Sequence, residues 1–413
     1  MKNRVHIIGG GINGLCTAWY LLKCGFEVTI IDKTDLLDGT SFGNAGMIVP
    51  SHFIPLASPG VIAKGFKWMF SSKSPFYIKP KLDLDLLLWT WKFYRSSTPD
   101  HVRNSCNALF EFNEWSKQLH RSLSEQDEFS FLYREHGLLM LYRTAKQEKE
   151  ELEFAAMASD LGIAVNKYNA SELNEMEDVT VDALGGILFP GDAHISPSNF
   201  MQDMIHNLKR RGVGFVTGEE LISINASGDK VSSIKTTSHD IPIETLVITG
   251  GSWTSNLLKF LKIKLLLQPG KGYSITYAQH NTMPKYPTIL TEGKVAVTPL
   301  GQDLRIGGTL ELGSFDNQIN KNRLQGIKES MQQYYPDLNL KAQENEIWIG
   351  YRPCSPDGLP YIGKALPFKN LFVGTGHGMM GMSMGPATGK LLSQIIANED
   401  RDLKFEQAFS INR

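Results

Sequence analysis

Val5 to Ile8 is a short, mostly apolar run interrupted by His6, the length of a buried strand and too short for a helix. Glycines follow. Apolar positions then recur at helical spacing (Leu15, Ala18, Trp19, Leu22) until Gly25 stops them. Val28 to Ile31 reads as a second buried strand, ended by Asp32. Lys33 to Gly60 is rich in Gly, Ser, Asn and Pro and predicts a long loop. From Val61 to Tyr94, large apolar and aromatic residues alternate with Lys64, Lys67, Lys73, Lys79, Lys81 and Lys92. That pattern predicts amphipathic helices, either packed on a neighbouring domain or lying on a membrane surface.

Helical periodicity returns over Asn104 to Ser124, Ala145 to Leu161, Asn199 to Arg211 and Leu324 to Tyr335, and acidic Ser171 to Asp182 reads as a helical turn and loop. Gly137 to Tyr142 and Val213 to Val216 read as strands, and Leu221 to Ile224 with Ser232 to Thr237 as a hairpin. Gly185 to Asp192 predicts a strand and turn that bring the chain back to its first domain. Thr245 to Ile248 is a buried strand. Lys264 to Thr276, Thr288 to Leu290, Val295 to Pro299 and Leu304 to Leu310 are β segments separated by turn residues, the signature of an antiparallel sheet. Glu346 to Tyr351 and Leu371 to Gly374 are further strands, and Gly376 to Gly381 opens a last helix, Met382 to Ala397.

A chain of 413 residues exceeds one typical core. The expected fold class is α/β: a Rossmann-like nucleotide domain (1–50, 186–262 and 345–413) interleaved with an α+β substrate domain built on an antiparallel sheet (51–185 and 263–344). Net charge is −1 with no basic block, so nucleic acid is not an expected partner. Cys16, Cys24, Cys106 and Cys354 are scattered, with no metal-site spacing and no disulfide framework, which suits a reducing cytoplasm. The first apolar run is too short for a signal-peptide core, and no apolar run reaches membrane-spanning length.

Candidate chemistry starts at the first turn. Gly9, Gly11 and Gly14 fall at G-x-G-x-x-G spacing between strand and helix, with Asp32 ending the next strand. This is a dinucleotide fingerprint in its βαβ context: tight turn, close backbone approach to a pyrophosphate, close helix packing, and an acid for a ribose hydroxyl. Alone it leaves NAD and FAD open. A second glycine turn, Gly374-Thr375-Gly376-His377-Gly378, runs from a buried strand into a helix near the far end of the chain. A second helix N-terminus suits a flavin, whose ring gains negative charge on reduction, and favours FAD.

Several motifs together resemble the D-amino acid oxidase superfamily of flavoproteins: the Val5–Asp32 fingerprint, Thr40-Ser41 with Asn44-Ala45-Gly46, Gly350-Tyr351-Arg352-Pro353, Pro356-Asp357-Gly358-Leu359-Pro360, and Gly376-His377-Gly378 before Gly381. The 40–60 loop looks most like the bacterial D-amino acid dehydrogenase branch. The resemblance implies non-covalent FAD held by Gly9, Gly11, Ile12, Asn13, Gly14, Asp32 and Lys33 on the ADP side. Thr40, Ser41, Asn44, Ala45, Gly46 and Met47 would wrap the pyrophosphate and ring. Gly376, His377, Gly378, Met379, Met380 and Gly381 would lie along the ribityl chain and pyrimidine edge.

The resemblance also implies that Arg352 clamps a substrate carboxylate, a role its guanidinium fork suits. The plain alternative is a structural arginine paired with Asp357 or with carbonyls. Tyr273 would line the substrate pocket, or be an ordinary strand tyrosine; His52 would face substrate, or be a satisfied loop histidine. The expected reaction is FAD-dependent oxidation of a small D-amino acid to an imino acid and then a 2-oxo acid, with electrons passed to a quinone or other carrier. Cyclic or secondary amino acids (D-proline, 4-hydroxy-D-proline, sarcosine) and glycine are alternative substrates. Residues 61–94 would then make a peripheral contact with the inner membrane face. Rival readings are an NAD-linked dehydrogenase and a binding subunit with a structural flavin.

Overall fold

The computed structural model describes residues 3–61, 74–78, 83–279, 282–313, 315–338, 340 and 344–413. Most of the expected amphipathic stretch before Leu84, including Lys64, Lys67, Lys73, Lys79 and Lys81, lies outside the described residues.

One sheet has six strands in the order Gly214–Thr217, Glu27–Asp32, Arg4–Ile8, Thr245–Ile248, Leu371–Thr375 and Tyr361–Lys364. All neighbours pair in parallel except the last two. Both faces of its central strands are covered, which is why they read as largely apolar runs; Val5, Ile7, Val28, Ile30 and Val247 are all buried. The helix Ile12–Lys23 packs on this sheet, with every residue from Ile12 to Leu21 buried. Its main partner is the helix Gly381–Ala397. The two approach closely because Gly385 and Gly389 lack side chains: a Cβ at Gly389 would lie 2.6 Å from the backbone nitrogen of Thr17.

The second sheet has nine strands. Eight follow the order Glu344–Cys354, Gln268–Tyr277, Asp303–Leu312, Val295–Leu300, Thr288–Leu290, Leu138–Tyr142, Gly185–Phe189 and Asn166–Asn169, and Phe76–Ile78 pairs with Asp303–Leu312. Most pairs are antiparallel, as expected. Thr288–Leu290 against Leu138–Tyr142 and Phe76–Ile78 against Asp303–Leu312 are parallel. A core of Leu139, Leu141, Ile275, Tyr277, Val297, Ile306 and Met331 fills the space between this sheet and the helix Lys321–Tyr334.

Two segments sit elsewhere than the sequence suggests. Gly185–Phe189 is a strand of the nine-stranded sheet, between Leu138–Tyr142 and Asn166–Asn169. The chain rejoins the six-stranded unit only through the helix Pro197–Arg210 and the strand Gly214–Thr217. All five residues of Gly185–Phe189 are buried, so the run has no alternation to separate it from a parallel strand. Glu344–Cys354 likewise pairs along the whole of Gln268–Tyr277, which places Arg352 on the nine-stranded sheet.

The helix Leu84–Ser96 starts at Asp83, whose side chain accepts from the backbone nitrogens of Asp85 and Leu86. It buries Leu86, Trp89 and Phe93, and Trp89 Nε1 donates to the Cys354 carbonyl at 2.8 Å. Its other face leaves Leu84, Leu87, Trp91 and Tyr94 more than half exposed. Among the described residues, no helix is long and apolar enough to cross a membrane.

Candidate active site

The first glycine turn has the geometry its sequence implies. Gly9 has φ 102°, open to glycine and strained for other residues. A Cβ at Gly14 would run into the Gly9 carbonyl and lie 2.9 Å from Thr249 Oγ1. A Cβ at Gly11 would meet only Ser41 Oγ, at 3.6 Å; beyond it is cavity. Ile12 N donates to Ser41 Oγ at 3.1 Å, so Ser41 caps the helix start. Asp32 is partly committed: Oδ2 accepts from Gly10 N at 2.7 Å, and Oδ1 accepts from the backbone and hydroxyl of Thr34. Its remaining lone pairs are still available to a ribose hydroxyl. Lys33 Nζ lies 4.1 Å from the centre of the Trp253 ring, at the same end of the cavity.

The 40–47 loop is wedged against the nine-stranded sheet. Arg305 donates to the carbonyls of Phe42 and Asn44, Ser274 Oγ donates to the Gly43 carbonyl, and Tyr351 N donates to Thr40 Oγ1. Gly43 lies flat on Trp348; a Cβ there would come within 2.6 Å of the indole Cγ. Asn44 Oδ1 accepts from Gly46 N, and Met47 pairs with His194. Arg305, Ser274 and Trp348 were not readable as site residues, because each acts on a loop more than two hundred positions away.

At the second glycine turn, Gly376 has φ 82° and Gly378 φ 53°. Gly378–Met380 forms one 3-10 turn before the helix Gly381–Ala397, whose N-terminus supplies free N–H groups and a positive dipole end at the cavity. The His377 ring is locked between helices. Asn13 Nδ2 donates to its Nδ1 at 3.1 Å, which leaves the proton on Nε2, 2.8 Å from Thr388 Oγ1. Burial pushes its pKa down to about 3, so the ring is neutral. With both nitrogens engaged, His377 and Asn13 hold the two helix starts together, and Gly378, Met379, Met380 and Gly381 form the wall beside them.

These elements enclose a cavity of about 1420 Å³, running from the first turn past the 40–47 loop to Arg352. That exceeds the usual small-ligand range. Two helix N-termini, the open face of Gly11 and an acid at the second strand fit an extended dinucleotide such as FAD, with room left beside Arg352.

Arg352 is half-buried in the cavity wall, and burial lowers the pKa of its guanidinium. Nη1 donates to the Thr309 carbonyl. Among the described residues no carboxylate pairs with it; Asp357, the alternative partner, instead pairs with Arg413. Gly272 makes room for the guanidinium, since a Cβ there would lie 2.6 Å from Cζ. Thr309 sits in a bulge: the two-residue step Lys271 to Tyr273 faces the three-residue step Glu311 to Gly308. Its φ is 64°, a strained value for a β-branched residue, at the point where its carbonyl meets Arg352.

The other two expected substrate residues differ. Tyr273 borders the cavity, but its hydroxyl donates to Glu311 Oε1 at 2.6 Å and accepts from Asn320 N, and its ring belongs to the core behind the sheet. Strand alternation explains this: Gly272 and Ser274 face Arg352 and the 40–47 loop, so Tyr273 faces away. His52 does line the cavity.

The family model described as FAD dependent oxidoreductase matches residues 4–395. A D-amino acid dehydrogenase of Granulibacter bethesdensis is 32% identical over 404 residues, covering 96% of each chain. One of Helicobacter pylori is 33% identical over 417 residues, covering 99% of each. The glycine oxidase of Geobacillus kaustophilus superposes with a TM-score of 0.79 at 22% identity, covering 100% of this chain and 99% of the other. Fold and sequence together define a flavoprotein oxidoreductase. The chain belongs to the FAD-dependent oxidoreductase family whose model spans it, and FAD is its cofactor.

Proposed function

We propose that this chain oxidises the Cα–N bond of a small D-amino acid and passes the electrons to a quinone or similar carrier. The observation that carries the reading is Arg352: a half-buried guanidinium at the cavity wall, with no acidic partner among the described residues and donors left over after Thr309. A half-buried cation of this kind is stabilised by an anion, and its fork fits a carboxylate. The relatives named D-amino acid dehydrogenase support a substrate that carries one.

Bound FAD supplies the hydride acceptor. Arg352 holds the substrate by its carboxylate, which leaves the α-carbon to be presented in one orientation. Gly272 and the Thr309 carbonyl set where the guanidinium stands. Leu310, Leu312, Met140, Ile289 and Met380 surround the site with apolar surface and exclude water from the transfer. The substrate leaves as an imino acid, which water hydrolyses to a 2-oxo acid and ammonia.

The acceptor side of the reading rests on the helix Leu84–Ser96. Leu87, Trp91 and Tyr94 border the cavity and are also exposed, so they form an apolar rim where an apolar carrier or a membrane surface could approach. The test is anaerobic mixing of the yellow holoprotein with D-amino acids. Arg352→Gln should keep FAD bound and lose bleaching at ordinary substrate concentrations; unchanged bleaching would remove the carboxylate clamp.

A further inference from the structure

A hydrogen-bonded chain leads from the cavity into the protein. The Asp192 carboxylate, buried, accepts from both the backbone N–H of Ser51 and its hydroxyl, at 3.1 and 2.5 Å. Ser51 Oγ, its proton given to Asp192, can offer only lone pairs to its other neighbour, His52 Nδ1, at 3.2 Å. His52 therefore carries its proton on Nδ1. Nε2 is left as a bare base with no partner among the described residues. His52 is half-buried and lines the cavity. It also borders a side cavity of about 240 Å³, shared with Leu310, next to Thr309, and Cys354, two residues beyond Arg352. His52 thus borders both the main cavity that Arg352 lines and the side cavity beside the second glycine turn.

An α-amino acid reaches the site as an ammonium ion, and a hydride cannot leave its α-carbon until one N–H proton has gone. We propose that His52, Ser51 and Asp192 form a relay that takes this proton from the substrate bound to Arg352. The inference rests on the amino-acid reading above. In balance, the ammonium gives one proton to His52 Nε2, Nδ1 gives its own to Ser51 Oγ, and the Ser51 hydroxyl proton passes to Asp192. The products are a neutral amine and a protonated Asp192; no electrons move in this step.

The charges around the relay suit that direction. Burial, with Lys294 nearby, pushes His52 down to about 4, so an imidazolium there is a passing state. Burial pushes Asp192 up to about 7, against the pull of its Ser51 hydrogen bonds. Lys117 and Glu114, on the helix Pro99–Ser124, are the charged groups facing Asp192, and they oppose each other. The end of the chain is therefore a proton acceptor matched to neutral pH.

The test follows flavin bleaching anaerobically across pH in wild type, His52→Ala and Ser51→Ala, using whichever of D-alanine, D-proline or D-phenylalanine bleaches wild type fastest. Two pH units below the ammonium pKa, only about one amine in a hundred is neutral. His52→Ala should then bleach about 100-fold more slowly than at its own high-pH plateau, and rejoin wild type within about threefold above that pKa. Ser51→Ala should shift the profile the same way, by less. A second readout is binding of 2-aminoisobutyrate, which has no α-hydrogen, against isobutyrate, which has no nitrogen. At pH 7, His52→Ala should weaken the first at least about tenfold and leave the second unchanged. Profiles that overlay wild type, or a loss equal at every pH, overturn the relay. Failure of all three D-amino acids to bleach wild type would overturn the functional reading itself.

Discussion

Gly272→Ala separates the fold from the chemistry. A Cβ at position 272 would lie 2.6 Å from Arg352 Cζ, and carbon atoms prefer about 3.5 Å or more, so the guanidinium must retreat by about 1 Å. The clash is with the mobile end of a long side chain and leaves backbone contacts alone. Position 272 has an ordinary strand conformation, in register with Gly350. Stability should therefore change by less than about 1 kcal/mol. The substrate would feel the full displacement. Misplacing a binding group by about 1 Å costs on the order of 100-fold in rate, close to 3 kcal/mol of transition-state stabilisation. Stopped-flow bleaching gives that loss in kcat/KM, and thermal melting with FAD absorbance shows whether the holoprotein is intact. A Gly272→Ala protein that binds FAD, melts like wild type and keeps kcat/KM within threefold would refute the placement of Arg352.

Other perturbations test other parts. Gly14→Ala drives a methyl into the Gly9 carbonyl, a backbone clash with no soft side to yield; it should cost several kcal/mol and abolish FAD retention, measured by the absorbance of purified protein. Gly389→Val should force apart the helices Ile12–Lys23 and Gly381–Ala397, costing about 1–3 kcal/mol or more in melting experiments. His377 has a folded pKa of about 3, below its unfolded value near 6.5. The unfolded chain thus takes up a proton first as pH falls, and wild type loses stability relative to His377→Gln below pH 6.5. Between pH 7.5 and 5 that relative loss should be about 2 kcal/mol by denaturant titration. Leu87→Glu with Trp91→Glu should slow electron transfer to a quinone in vesicles and leave amino-acid bleaching unchanged.

What the sequence disclosed was local. Both glycine turns, with their strands and helices, and Arg352 within Gly-x-Arg-Pro stand on short contiguous patterns, and all of them line one cavity, although Arg352 stands on the nine-stranded sheet. What it hid depends on partners far apart in the chain. Gly272 matters because of Arg352, Arg305 because of Phe42 and Asn44, and Asp192 because of Ser51. Gly385 and Gly389 read as poor helix formers until the opposite helix is seen against them. Tyr273 sits beside site residues in sequence, yet a single step along a strand reverses the face, and its hydroxyl is spent on Glu311. Gly185–Phe189 was legible as a strand, but its sheet was not, because a run buried on both sides carries no mark of its neighbours.

The most direct test of the account is to mix the FAD-bound protein, without oxygen, with matched D and L forms of alanine, proline and phenylalanine, and to record the flavin absorbance. At least one D form should bleach the flavin, faster than its L partner, and a primary amine should yield a 2-oxo acid with ammonia. A flavin that stays oxidised with all six would contradict it.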